Sequence, residues 1–595
     1  MQRLPSANSK SGPKATQQYA KDTKATLKRL WFYLSYYRSR LILGLILTII
    51  ANSLSLVGPY LTGRMIGAMD NGVNFNDVFL FAGLMAIFYV ISAVLNYFLS
   101  IAMVKIAQSV VYKMRKDLFE KMTKVKVGFF DKNQTGDIIS RMSYDIDTIS
   151  TSLATDLMNL ITSGITLVVS FIMMLVMSPI LVLVFIVTIP LTFVVTRFLS
   201  KIIKRRIRVR NQQLGYLNGY SEEMITAQKT IQSYVQEDAI YEKFKIQNED
   251  AAQKSYKSGK YSTIVGPTTN FINNLSTVLV GAIGGILMVF GIIGLGPLTA
   301  FMLYSKRFAG PINQMSNLVA DIQSALAAAE RVFFVLDQPD EIINKEDALT
   351  AGISKGLVEF KDVSFGYEEG KPVLKNVSFT AEVGQTVAIV GHTGAGKTTL
   401  VNLLMRFYDV NSGVIQVDSH DVQDYNSNYY RTNFSMVLQD TWLFKGTIFE
   451  NIKYGNPEAT LDDVIIAAKS AKIHRYIKGL PKGYDTLVSD DGINISKGQK
   501  QLLIIARAML SKANILILDE ATSNVDTYTE VLIQEAMANL MKDKTSFVIA
   551  HRLSTIKNAD LILLMEKGNI IEQGNHDDLM IKQGAYFNLF MSQFE

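Results

Sequence analysis

Cysteine is absent from the 595 residues, which excludes disulfides, thiolate metal sites and dithiol redox chemistry while leaving the compartment open. Long apolar runs are scarce in the second half and crowded into the first, although the overall hydrophobic share of 48% is that of an ordinary soluble protein. No cleavable secretory signal is visible either: roughly the first 25 residues are polar and basic, and the first apolar run starts only near Leu41. A chain of this length exceeds one hydrophobic core, so at least two domains are expected. The formal charge of +7 admits nucleic acid as a partner, but the basic excess lies in loops beside the apolar runs, which points to a membrane and away from nucleic acid.

Runs long enough to cross about 30 Å of hydrocarbon can be read at 41–61, 79–104, 154–177, 180–199, 264–290 and 298 to about 320. Buried helices of a large soluble core are the competing reading, but such helices rarely come six at a time at spanning length. Lys and Arg concentrate after the second run (Lys113, Arg115, Lys116, Lys121 and others) and after the fourth (Lys204, Arg205, Arg206, Arg208, Arg210). The connections at 178–179 and 291–297 carry no charge. The basic loops are therefore expected inside, with both termini cytoplasmic. These inner connections run to about 50 to 60 residues, far beyond ordinary loops, and read as helices continuing past the bilayer. The basic, aromatic stretch around Trp31, Tyr33, Tyr36 and Tyr37 suits a helix lying in the interface, and residues 1–20 read as a disordered tail. Lys306 and Arg307 fall about 12 to 14 Å from the outer end of the sixth run. They either line a substrate cavity, or snorkel or pair with a carboxylate.

From about Gly356 the pattern changes to short strands and helices, a soluble α/β domain. TVAIVGHTGAGKTTL runs as a strand, a glycine-rich loop and a helix, the phosphate-binding arrangement. Gly391, Gly394 and Gly396, with Thr393 and Ala395 between them, let backbone N–H groups curl around phosphates at a helix start, where Thr399 follows in the first turn. Lys397 reaches the terminal phosphates and the Thr398 hydroxyl ligates Mg²⁺. Downstream, ILILDE ends an apolar strand in Asp519 and Glu520. Burying two carboxylates costs several kcal/mol without compensation. A metal–nucleotide site supplies it, with Asp519 holding Mg²⁺ and Glu520 acting as general base on water; a merely structural carboxylate is the alternative.

This ordered set resembles the ATP-binding cassette (ABC) family, and specifically exporter half-transporters with six spans fused to one nucleotide-binding domain. The resemblance covers nearly the whole chain from Asp22 and implies an all-α membrane domain of the type IV exporter kind joined to a cytosolic α/β P-loop ATPase. It further implies that Tyr367 in SFGYEEG stacks on adenine, that Gln439 in MVLQDTWLF helps to hold Mg²⁺, that His551 in IAHRLSTI contacts the γ-phosphate, and that Asp526 in SNVD lies in the loop exchanged between two such domains. The segments 129–149 and 219–238 resemble the intracellular loops whose short coupling helices press on the nucleotide-binding domains.

One departure stands out. The family's usual LSGGQ signature, which completes an ATP site on the opposite domain, reads Ile495, Ser496, Lys497, Gly498, Gln499 here. Lysine in place of the first paired glycine adds a Cβ and restricts backbone angles where close approach is needed. Either Lys497 points to solvent and leaves a working site, or the signature serves a weakened one. The second reading implies a heterodimer like the bacterial multidrug exporters in which one subunit keeps a complete Walker B motif, and a partner chain with an intact signature and an altered carboxylate.

The expected organisation is a tail over 1–20, a membrane domain over 21–325, a linker over 326–355 and a nucleotide-binding domain over 356–595. The expected function is export of amphipathic or hydrophobic compounds driven by hydrolysis of ATP with Mg²⁺. Lipid or peptide export, a homodimeric exporter, and an ATP-gated channel or regulatory subunit are the alternatives. The missing cysteine nucleophile and peptidase domain count against a processing peptide exporter.

Overall fold

The computed structural model describes residues 22–592, apart from 71–73, 342–344, 346, 354, 369, 439–441, 489–494, 520–525 and 551–552. The chain divides into two compact units, one comprising 1–123 and 135–338, the other 124–134 and 339–595.

The first unit is all helix: α1 (Thr23–Ser35), α2 (Arg38–Asp70), α3 (Phe75–Met122), then, after the short α4 (Val127–Lys132) that belongs to the other unit, α5 (Thr135–Met177), α6 (Pro179–Thr226), α7 (Gln228–Ser233), α8 (Glu237–Val289) and α9 (Leu295–Leu336). Local chemistry sets several boundaries. Ser178 caps α6 by accepting from the Leu181 amide, and Pro179 fills its first turn, where a missing N–H costs nothing. Asn74 caps α3 in the same way. Two π-helical segments, Arg141–Asp145 and Ser152–Asp156, interrupt the start of α5.

Five helices, α2, α3, α5, α6 and α8, are long and apolar enough to cross a membrane. The sixth expected span lies in α9, which has the length at 42 residues and carries Lys306 and Arg307 within its apolar part. Where α2 meets α9 the backbones touch: a Cβ on Gly63 would stand 2.7 Å from the Gly296 carbonyl oxygen, and one on Gly296 would stand 2.4 Å from that of Gly63. Toward the polar end of the helices, Arg331 on α9 makes a bidentate pair with the buried Asp145, Nη2 to Oδ1 at 2.6 Å and Nε to Oδ2 at 2.9 Å. Tyr33 on α1 donates to Asp117 on α3 at 2.9 Å.

The second unit carries twelve strands among its described residues: β1 (Val358–Phe365), β2 (Leu374–Ala381), β3 (Thr386–Val390), β4 (Ser412–Val417), β5 (His420–Asp421), β6 (Phe434–Val437), β7 (Gly446–Thr447), β8 (Leu487–Val488), β9 (Ile515–Asp519), β10 (Thr545–Ile549), β11 (Leu561–Glu566) and β12 (Asn569–Gly574). An antiparallel sheet runs β2-β1-β4-β5, a mainly parallel one runs β12-β11-β3-β10-β9-β6, and β7 pairs with β8. The central strands are buried over Val387–Val390 and Ile515–Leu518, as both-face-covered parallel strands must be, and so read as the apolar runs VAIV and ILIL. One apolar core, including the stacked Phe360 and Phe379, contains residues from both larger sheets; another joins the parallel sheet to its helices through Leu502, Leu503 and Ile505.

Candidate functional site

The register of the parallel sheet assembles the nucleotide half. Ile549 on β10 pairs with Ile389 on β3 and with Asp519 on β9, and Leu518 pairs with Val437 on β6. The segments leaving β3, β10, β9 and β6 thus start from one carboxyl edge, where ligands sit on open α/β sheets. Those segments carry Gly391, His551, Glu520 and Gln439 in turn. Gln439, Glu520 and His551 lie outside the described residues.

The loop after β3 is held by glycines that need left-handed angles: Gly391, Gly394 and Gly396 have φ of +150°, +84° and +105°. Gly391 also passes so close to the Met565 carbonyl that a Cβ would stand 2.3 Å from its oxygen, whereas a Cβ on Gly394 would meet open space. The helix α10 (Lys397–Leu404) begins directly after Gly396. Lys397 is buried, and its Nζ donates to the Gly391 and His392 carbonyls at 2.6 and 3.2 Å, spanning the loop from inside. Burial pushes this ammonium below its usual range, against the pull of Asp519. Thr393 and Thr398 are exposed; Ala395 and Thr399 are buried.

Tyr367 stands at the rim, 37% exposed, with its hydroxyl donating to Thr399 Oγ1 at 3.2 Å and accepting from Asn402 Nδ2 at 3.3 Å. Tyr408 supports it edge-on with ring centroids 5.0 Å apart, and the Tyr408 hydroxyl donates to Asp131 on α4. Burial and that carboxylate push the Tyr408 phenol upward. Gly128 lets α4 lie against the same ring, since a Cβ there would stand 2.8 Å from Tyr408 Cε1. Tyr408 and Asn402 were not singled out by sequence, and Asp131 only as part of the 129–149 segment expected to press on a nucleotide-binding domain.

The signature segment opens the helix α11 (Lys497–Leu510). Ser496 and Gln499 form a reciprocal capping box, Gln499 N to Ser496 Oγ at 3.2 Å and Ser496 N to Gln499 Oε1 at 3.1 Å. Gly498 is buried, and Lys497 is an exposed first helical residue without positive φ. The backbone here asks for no glycine, so the departure at Lys497 reduces to an added side chain and its charge. Asp526 caps the helix α12 (Thr527–Met541) by accepting from the Thr529 amide at 2.9 Å, which lowers its carboxyl below the usual range.

The residues fit a nucleoside triphosphate with Mg²⁺: left-handed glycines open a loop of amides at a helix start, a buried cation donates to that loop's carbonyls, and a threonine hydroxyl and an aspartate flank it.

Models of known families agree with both halves, "ABC transporter transmembrane region" matching residues 41–312 and "ABC transporter" matching 374–523. The chain is similar to the uncharacterized ABC transporter ATP-binding protein YfiC of Bacillus subtilis, 40% identical over 97% of this chain and 95% of that one. The chain belongs to the ABC transporter family. This ABC exporter is also similar to a fatty acid ABC transporter ATP-binding/permease protein of Mycobacterium bovis, 42% identical over 81% of this chain and 76% of that one. Its fold matches a bacterial Atm1-family ABC exporter solved with ATP bound, with a TM-score of 0.76 and 27% identity over 93% of this chain and 98% of that one. Like others of its family, the ABC exporter is an ATPase coupled to transport, uses ATP with Mg²⁺, and works as a dimer in a membrane.

In the membrane unit the neighbouring cations of α9 go separate ways. Arg307 donates to Ser55 Oγ at 3.0 Å and to the Tyr89 hydroxyl at 3.5 Å, binding α9 to α2 and α3. Lys306 lines a cavity of about 210 Å³ bounded by α6, α8 and α9.

Proposed function

We propose that this chain expels amphipathic or hydrophobic small molecules across a bacterial cell membrane, as one half of a heterodimer whose partner carries an intact signature and an altered catalytic carboxylate. The membrane domain would span 21–325 and the nucleotide-binding domain 356–595, with both termini on the cytoplasmic side as the basic loops require.

The observation carrying the reading is the phosphate loop, with buried Lys397 laced to the Gly391 and His392 carbonyls at 2.6 and 3.2 Å, in a chain that also carries spanning helices. In this reading Lys397 and the loop amides hold the phosphates and Tyr367 stacks on the base. Thr398, Asp519 and Gln439 would hold Mg²⁺, which when bound neutralises charge on the transferring phosphoryl group. Glu520 takes the proton of the attacking water and His551 contacts the γ-phosphate. Ser496, Gly498, Gln499 and Asp526 face the partner's site. The closed pair of domains binds nucleotide better than the open pair, and that difference alone shifts the membrane helices from inward-facing to outward-facing.

The heterodimer rests on a mismatch: a complete Walker set on a chain whose own signature carries the exposed Lys497 side chain. Lipid export is the second reading, favoured by the relative named for fatty acids. The test is ATP-dependent uptake of a mixed amphiphile panel into inverted membrane vesicles. Uptake abolished by Lys397→Ala supports export; uptake at full speed in that variant overturns it.

A further inference from the structure

The cavity beside Lys306 has a chemistry of its own. On α8, Asn270, Asn273 and Asn274 follow the i, i+3, i+4 spacing that places them on one helix face, and all three line it. Opposite them α6 presents Thr188, 3% exposed, whose hydroxyl has no hydrogen-bond partner. Neither the three asparagine amides nor the Lys306 ammonium makes a side-chain hydrogen bond or ion pair among the described residues, and none of the lining residues is acidic. Thr188 is the buried hydroxyl left unsatisfied there, whereas Asn270, Asn274 and Lys306 are exposed and Asn273 is half-buried, so their donors are open to an occupant of the cavity. At about 210 Å³ the cavity is smaller than the ~300 Å³ lower bound for sites that enclose a whole drug-sized molecule, and suits a headgroup. Phe185, Ile189 and Phe308 supply an apolar wall beside the polar cluster.

We propose that this cavity binds the anionic headgroup, carboxylate or phosphate, of an amphiphile. Lys306 supplies the charge, the asparagine amides and Thr188 hydroxyl donate to the anion's oxygens, and the hydrocarbon tail lies along the apolar wall. The amphiphile's role as cargo rests on the export reading, but its binding does not.

The test uses the exporter as it assembles in cells, purified into phosphatidylcholine nanodiscs without ATP, with 11-dansylaminoundecanoate as fluorescent probe. Oleate and dodecyl phosphate should displace the probe and dodecyltrimethylammonium should not; the more potent of the two anions identifies the headgroup. Lys306→Gln should weaken probe binding about tenfold and Thr188→Val about threefold, while Lys306→Arg stays within about threefold of the parent. Equal displacement by the cation, or unchanged affinity in Lys306→Gln, overturns the proposal; the latter is also the result if Lys306 pairs with a carboxylate of the partner chain. Because ATP is omitted, failed vesicle uptake leaves a positive binding result standing, and failed binding leaves the export reading standing.

Discussion

Tyr408 joins two sites with one side chain: its hydroxyl donates to Asp131 on α4, and its ring sits 5.0 Å from that of Tyr367 at the nucleotide rim. The helix α4 lies in sequence between two membrane-crossing helices yet belongs to the nucleotide unit. One ring thus links Tyr367 to α4, a separate short helix that lies in the sequence between α3 and α5.

Replacing Tyr408 with Phe keeps the ring and removes a hydrogen bond worth ~1 kcal/mol at this half-exposed position. ATP affinity should stay within about twofold, while cargo moved per ATP falls in proteoliposomes. An unchanged transport-to-hydrolysis ratio would show that the bond to Asp131 plays no part in coupling.

The bidentate pair between Asp145 and Arg331 has one side chain only 5% exposed. Arg331→Met should cost about 3 kcal/mol, because it removes the bidentate partner of a buried carboxylate and leaves it the weaker pull of Arg141. The double change Asp145→Leu with Arg331→Met should recover most of that loss. Thermal unfolding of the detergent-purified exporter checks both, and a double variant no better than the single would refute the pairing energetics.

At the contact of α2 with α9, Gly296→Ala would place a methyl 2.4 Å from the Gly63 carbonyl oxygen, so the helices must separate. The cost is about 1–3 kcal/mol, read as a melting temperature lowered by at least about 3 °C. Gly285→Ala, where a Cβ meets open space, serves as the neutral control.

Three carboxylates at helix starts accept backbone N–H groups and are held below their usual range: Glu450 from Thr447, Asp463 from Thr460 and Asp526 from Thr529. Their folded pKa values being depressed, the stability they contribute is present above their unfolded values near about pH 4 and is lost as pH falls through the folded ones. Glu450→Gln with Asp463→Asn should therefore flatten the fall of melting temperature below about pH 4.5. An identical acid slope in parent and variant would contradict this.

Lys497→Gly should raise the ATPase rate of the singly purified chain about tenfold if the lysine weakens the composite site, with no effect on nucleotide affinity at Lys397. A rate unchanged by Lys497→Gly, or a brisk rate in the parent chain alone, removes the argument for a different partner.

What the sequence disclosed was local. The apolar runs and the glycine spacing around Lys397 are read directly, because span length and phosphate-loop geometry depend on neighbours in the chain. The fates of Lys306 and Arg307 were not separable, since Ser55 and Tyr89, which hold Arg307, lie over 200 positions away. Thr188 was invisible for the same reason. The asparagine stripe on α8 was legible in principle, from its helical spacing inside an otherwise apolar run. At Lys497 the sequence raised both backbone angles and close approach; the capping box of Ser496 and Gln499 holds a helix start in which Lys497 has no positive φ, which bears on the first alone.

The two adjacent cations of α9 also bear on how the chain reaches its bilayer. Each costs about 2.5–3.5 kcal/mol near the middle of a helix presented to the insertion machinery. That cost opposes insertion of the segment by itself and favours its entry as the second arm of a hairpin with α8, whose apolar end is separated from it by Phe290 to Gly294.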